Sequence, residues 1–207
     1  SIFCLVLLSD NCYAQSCNCD HTINGLSTTA VNQVYNTSYN YSPGDTFCIM
    51  SDTLAGLRFV GFEGTIDSPL VIINCGGKVV VKENLYSGIE LKLCKYIELS
   101  GSGDPGLEYG FNVIQTGNGL MGVGLSAFDT DIEVHHIDIE NTGFAGIMAK
   151  TDPDCNDSTT WRSSGYVFRN LHIHHNYIHN TGGEGMYIGY TGGYKVISNK
   201  VCNGNYV

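Results

Sequence analysis

Positive charge is scarce in this chain. Ten lysines and arginines stand against twenty aspartates and glutamates, for a net charge of −10. A surface of that sign repels phosphate backbones and anionic lipid, so nucleic acid is not expected as a partner. No apolar run is long enough to span a bilayer, so membrane insertion of the mature chain is not expected either. Proline is limited to four residues against 26 glycines. That composition fits an ordered chain with many turns and excludes collagen or a proline-rich spacer. No Cys-x-x-Cys pair occurs, which removes zinc ribbons and thioredoxin-like motifs. The 207 residues suit one domain or a piece of a larger one, and a hydrophobic content of 43% argues against disorder.

The N-terminus reads as part of an export signal. Ile2 to Leu8 is a short apolar stretch, followed by polar residues and Cys12-Tyr13-Ala14. Small residues three back and one back from a cut after Ala14 fit a signal peptidase site. The expected organisation is a partial signal over 1–14, a lead-in or cap over 15–42, and one repeat domain over 43–207. The expected location is secreted or cell-surface, with the periplasm as the alternative. Such a cut removes Cys4 and Cys12 and leaves Cys17, Cys19, Cys48, Cys75, Cys94, Cys155 and Cys202. Disulfides are then allowed, and the odd number leaves one thiol over. The cysteines in FCI, INC and KLC sit in apolar patterns and read as small buried hydrophobes.

The body of the chain repeats itself. Ile132 to Lys150 (IEVHHIDIENTGFAGIMAK) matches Leu171 to Gly189 (LHIHHNYIHNTGGEGMYIG) at His-His, Asn-Thr-Gly and a later Gly. Between them lies the polar insertion 151–164, TDPDCNDSTTWRSS. Removing it leaves a period of about 25 residues. Asn176 to Asn180 matches Asn199 to Asn203 and suggests a further copy. Short alternating strands separated by Gly/Asn turns, with no helical periodicity, predict a parallel β-solenoid of roughly six or seven coils. At about 4.8 Å per coil it forms a rod roughly 30 Å long. Asn at matched corners can bond up and down the stack. The chain stops inside a repeat at Val207, so the rod is expected to continue beyond it.

Pro43-Gly44-Asp45-Thr46, Gly64-Thr65, Pro69 to Ile72, Lys95 to Gly101 and the Asn-x-Ile-x-Asn coils carry a resemblance. Over about Pro43 to Val207 the chain resembles the right-handed single-stranded parallel β-helices of the pectin-lyase-like superfamily. It looks most like exported bacterial β-helix proteins related to chondroitinase- and alginate-lyase-like enzymes. That resemblance implies an all-β, right-handed helix acting on an extracellular polysaccharide. It also implies a Lys base, an Arg and often Ca²⁺ for β-elimination. Lys150 is the base candidate, with Arg162 or Arg169 to neutralise charge. The fold alone does not fix the activity.

Two regions carry candidate chemistry. Alternate strand residues share a face. With Ile132 and Val134 inward, Asp129, Asp131, Glu133 and His135 should point outward, beside Phe168, Asn170, His172 and His174 of the next coil. The register predicts Asp131 beside Asn170, Glu133 beside His172, and His135 beside His174. The acids could hold Ca²⁺, the imidazoles a transition metal, and the set could serve acid–base catalysis or form plain cross-strand pairs. His136 and His175 read as stacked corner residues.

The second region is the loop edge around Glu184, a lone carboxylate among glycines, followed by Tyr187 and Tyr190. Lys150 ends the matching strand one coil earlier, and the insertion adds Asp152, Asp154, Trp161 and Arg162. Tyrosines on a groove can stack on sugar rings, and Trp161 is a candidate sugar platform or a plug of the loop. Lys150, His174, Glu184 and Arg162 are therefore the catalytic candidates. His172, Tyr187, Tyr190 and Trp161 are the binding candidates. Glu184 with Asp152 or Asp154 could supply the paired carboxylates of hydrolysis. A non-catalytic glycan-binding or adhesin module is the alternative function.

Overall fold

In a computed structural model the chain is an all-β solenoid of six coils, described over residues 17–50, 52–82, 86–114, 117–192, 194–197 and 200–203. The expected export signal over 1–14 lies outside these residues. The first coil supplies β1 (His21–Ile23) and β2 (Asn32–Tyr35). The second supplies β3 (Thr46–Met50), β4 (Thr53–Leu54) and β5 (Leu57–Val60). The third has β6 (Leu70–Cys75), β7 (Val79–Lys82) and β8 (Ser87–Lys92). The fourth has β9 (Lys95–Ser100), β10 (Phe111–Ile114) and β11 (Met121–Ser126). The fifth has β12 (Thr130–His135), β13 (Ile137–Glu140) and β14 (Ile147–Ala149). The sixth has β15 (Leu171–His174), β16 (Tyr177–His179) and β17 (Met186–Ile188).

Like strands stack into three parallel sheets. Sheet 1 runs β1-β3-β6-β9-β12-β15, sheet 2 runs β4-β7-β10-β13-β16, and sheet 3 runs β2-β5-β8-β11-β14-β17. Residues 17–42, expected as a lead-in, provide the two strands of the first coil, in register with β3 and β5.

The stack is driven by columns of inward side chains. Ile72, Leu99, Val134 and Ile173 are successive partners in sheet 1. Val81, Val113, Ile139 and Ile178 form the matching column in sheet 2. Phe59, Leu91, Leu125, Ala149 and Ile188 form one in sheet 3. Members from coils two to five are buried to 1% exposure or less, and each aliphatic side chain so buried contributes roughly 1.5–3 kcal/mol. In coil six the sheet 3 column opens to solvent, with Ile188 37% exposed, and Met186 on the same strand is 52% exposed.

The corners are built from left-handed residues. His136 (φ 57) and His175 (φ 49) turn the chain from sheet 1 to sheet 2. Their rings stack 5.3 Å apart at 5°, and the His136 N–H donates to the His175 carbonyl at 3.0 Å. At the same corner of coil four stands Gly101, where a Cβ would meet the His136 carbonyl oxygen at 1.9 Å. Next to it, the Asn176 side chain accepts from Ile137 N–H (3.1 Å) and donates to the Val134 carbonyl (2.9 Å). Asn176 thus bonds from coil to coil, whereas the side chains of the matched Asn141 and Asn180 bond to their own neighbours Glu140 and His179.

Two expectations are corrected. The suggested further copy is not a coil. β18 (Tyr194–Ile197) and β19 (Lys200–Asn203) pair antiparallel, apart from the three sheets. Only two residues separate them, which is a hairpin length; parallel pairing needs a much longer crossover. Asn199 itself lies outside the described residues. Second, Cys48 and Cys75 are not plain core hydrophobes: Cys19 bonds to Cys48 and Cys17 to Cys75, and Cys155 bonds to Cys202. Phe47 and Ile49 point inward, so Cys48 between them faces out, within reach of the N-terminal segment. Among the described cysteines Cys94 is the free one, and burial pushes its thiol up to about 12, which makes it inert.

Candidate functional site

Sheet 1 brings the histidines and acids of three coils onto one outer face. The register is Glu98 beside Glu133, Glu133 beside His172, and His135 beside both Ser100 and His174. Two ionic pairs run diagonally across it. His135 Nε2 lies 3.0 Å from Glu98, and His174 Nε2 lies 2.7 Å from Glu133 Oε1. His172 Nδ1 reaches the same Glu133 oxygen at 3.3 Å. The His174 hydrogen bond, opposed by burial and aided by the individually smaller charge effects of His135, His172 and His174, holds the Glu133 carboxyl below the usual carboxylate range. The rings are packed tightly: His135 stacks on His174 at 4.8 Å, and His172 meets His174 at 4.4 Å. Each outward histidine also touches its corner neighbour, His135 to His136 and His174 to His175, at 2.6 Å between Nδ1 atoms. Burial, then the charge of the adjacent imidazoles, holds His136 below the ordinary histidine value.

Beside this face runs a groove of about 300 Å³, lined among others by Tyr96, Glu98, Asp131, Glu133, Asn170 and His172. Asp131 bonds to the Asn170 amide, as the register predicts. Its side chain is 7% exposed, with Arg169 Nε 3.7 Å away. Its Oδ2 is buried without a hydrogen-bond partner.

Asp129 is not on this face. It is fully buried and accepts from the Cys94 and Ser126 N–H groups at 2.7 Å each. Burial pushes its carboxyl up to about 8, against the opposing effect of those two donors. Phe168, also expected outward, is buried. Strand alternation fails there because left-handed Asp131 (φ 59) stands between Asp129 and inward Ile132, and left-handed Asn170 (φ 50) stands between Phe168 and Leu171. A carboxylate held by two backbone donors is a structural group, not an open metal ligand.

The second region assembles on sheet 3, a different face of the rod. Lys150 Nζ pairs with Asp152 at 2.9 Å. It lies 5.1 Å from the Tyr187 ring and 6.0 Å from the Tyr190 ring. The Tyr187 hydroxyl meets that of Thr191 at 2.6 Å. A groove of about 450 Å³ runs between sheet 3 and the insertion, lined among others by Glu90, Lys92, Lys150, Asp152, Asp154 and Asp157. Within the insertion the Trp161 indole N–H donates to the Asp154 carbonyl at 2.7 Å, so its polar end is used internally. Trp161, Arg162 and Glu184 line neither groove. The catalytic candidates are thus divided: His174 belongs to sheet 1, and Lys150 to sheet 3 with the tyrosines.

Glu98 escapes a reading that aligns only the two best-matching repeats. Aligning Ile97 and Leu99 with Ile132 and Val134 places it under Glu133, and that apolar pair is the signal that could have found it. The three sulfurs of Cys17, Cys19 and Cys75, which cluster closely enough to suggest a metal, are committed to disulfides.

Compared with protein-family models, with curated proteins and with solved structures, the chain gives no significant match in any of the three. The parallel β-helix therefore rests on the architecture itself.

Proposed function

We propose that the protein is an exported, carbohydrate-active β-helix protein of the pectin-lyase-like kind. In this reading it takes an extracellular polysaccharide into the sheet 3 groove and cleaves it by hydrolysis or β-elimination. The observation that carries this reading is the setting of Lys150: an ammonium held by Asp152 at 2.9 Å, with two tyrosine rings around it, in a groove lined by further carboxylates. Tyrosine faces suit sugar rings, and mixed charged groups suit hydroxyls and acid–base work. Three disulfides support export. For elimination, Lys150 must leave Asp152 and lose its ammonium proton before the free amine can take the C5 proton, and an acid must return a proton to the leaving oxygen as its bond to carbon breaks. Groove carboxylates such as Asp154 and Asp157 would hold Ca²⁺, which would offset the substrate carboxylate charge. For hydrolysis, two groove carboxylates act as acid and base or nucleophile.

A non-catalytic glycan-binding or adhesin module is the second reading, favoured by the engagement of Lys150 in an ion pair and by the position of Glu184 outside the groove. The test incubates the protein with polyuronates and neutral polysaccharides, with calcium and with chelator. Near-UV absorbance follows the double bond of elimination, and new reducing ends follow any cleavage. Absorbance that disappears in Lys150→Ala supports elimination, and reducing ends without absorbance support hydrolysis. Retention of polysaccharide with neither signal leaves the binding module. Absence of both turnover and retention on every polymer overturns the carbohydrate reading.

A further inference from the structure

We propose that Glu133, His172 and His174 form a site for one divalent transition-metal ion of the zinc, copper or nickel class on the outer face of sheet 1. The three residues each offer a ligand atom, and these atoms all lie within 4.8 Å of one another. A tetrahedral ion bound at about 2.0–2.2 Å holds its ligand atoms roughly 3.3–3.5 Å apart. His172 Nδ1 and Glu133 Oε1 already stand at 3.3 Å. His174 Nε2 and Glu133 Oε1 stand at 2.7 Å, the length of a hydrogen bond whose proton the ion replaces. Small side-chain movements complete the triangle.

The surroundings are those of a ligand set. His174 is fixed on one side by its stack on His135 and on the other by the contact of its Nδ1 with His175. A partner on the second ring nitrogen sets the tautomer that leaves Nε2 free for metal. Glu133 supplies one negative charge, and the acidic chain as a whole attracts cations. Two imidazoles and one carboxylate suit zinc, copper or nickel; calcium takes six to eight oxygens. His172 is 69% exposed, so the remaining coordination positions face solvent. They open beside the 300 Å³ groove.

The ladder itself supplies the controls. One coil earlier, Glu98 has a single imidazole, His135, with Ser100 on the other side. On sheet 2, Asp138 pairs with His179 at 3.1 Å and with Asn112. Among the described residues, two imidazoles meet one carboxylate only at Glu133.

The experiment uses untagged protein stripped with chelator. It is titrated with Zn²⁺ in a calorimeter and with Co²⁺ followed by visible absorption. One equivalent per chain is expected, with a Co²⁺ spectrum typical of nitrogen and oxygen ligands. His172→Ala, His174→Ala and Glu133→Gln should each weaken binding at least about tenfold. His179→Ala, which alters a similar carboxylate–imidazole pair elsewhere, should leave it unchanged. Far-UV circular dichroism and melting of each variant separate lost ligands from lost fold, and the exposed His172→Ala is the variant least coupled to folding. No saturable binding overturns the proposal. So does binding indifferent to all three ligand changes, or binding lost equally in His179→Ala.

Discussion

Glu98 and Glu133 stand directly side by side on neighbouring parallel strands, and each is paired diagonally with a histidine of the following coil. Like charges in that relation repel. His135 and His174 offset the repulsion, so the acids and imidazoles form one coupled ladder.

His135→Ala leaves Glu98 beside Glu133 without its histidine partner. A loss of about 1.5–3 kcal/mol is expected, on the scale of a hydrogen bond to a charged group. Glu98→Gln in the same background should recover part of it, because it removes one of the two like charges. Urea unfolding of the two single variants and the double variant gives the coupling; strict additivity would contradict it.

Glu133 titrates on the acid side. Its folded-state pKa lies below the ordinary 4.5, so the stabilisation is present above 4.5 and is lost as pH falls through the folded value. Glu133→Gln should flatten the acid limb of a melting-temperature profile below about pH 4.5. An unchanged acid limb would refute that assignment.

Asp129 works in the opposite sense. An acid raised to about 8 binds its proton more tightly in the folded chain, so its contribution to stability is complete below 3.8 and falls as pH rises from 3.8 to about 8. Asp129→Asn cannot titrate, and its amide nitrogen opposes one of the two backbone donors. It should lose about 1–3 kcal/mol while abolishing this decline. Melting curves between pH 4 and about pH 9 test both parts.

Burial within one ladder sets a gradient. Ile89→Ala, in the closed part of the sheet 3 column that continues through Val123 and Ile147 to Met186, should cost about 2–5 kcal/mol. Met186→Ala, 52% exposed in coil six, should cost far less. Equal costs in chemical unfolding would contradict the ladder as the seat of stability.

Removing the Cys17–Cys75 bond, of sequence separation 58, frees a loop that the Cys19–Cys48 bond inside it shortens, and chain entropy values that at about 3–4 kcal/mol. The Cys17→Ser, Cys75→Ser double variant should show that loss in urea, and no shift in midpoint would refute it.

Much of the sheet 1 face was legible from residue alternation. Once Ile132 and Val134 were taken as inward, the pairings of Glu133 with His172 and His135 with His174 followed, because parallel stacking at a fixed period repeats side-chain parity. The corner positions of His136 and His175 followed from the same alignment. Parity failed at Asp129 and Phe168, where left-handed residues interrupt the alternation that the inference needs. It could not place Lys150 relative to His174 either, since a one-dimensional period does not say which side of the rod a strand occupies. The segment 194–203 repeats the asparagine spacing of a coil, but the two residues between its strands are too few for a parallel crossover. Partners for Cys48 and Cys75 come from a segment outside the repeat, so the period held no information about them.

The bond between Cys155 and Cys202 joins two segments that flank the whole of coil six. An open stack ordinarily frays rung by rung from its end, each lost strand carrying the tail away with it. Here β15, β16 and β17 lie inside a covalently closed loop that begins at Cys155, in the insertion after β14. Coil six can loosen but cannot be carried off, and its neighbour remains within reach for it to re-form.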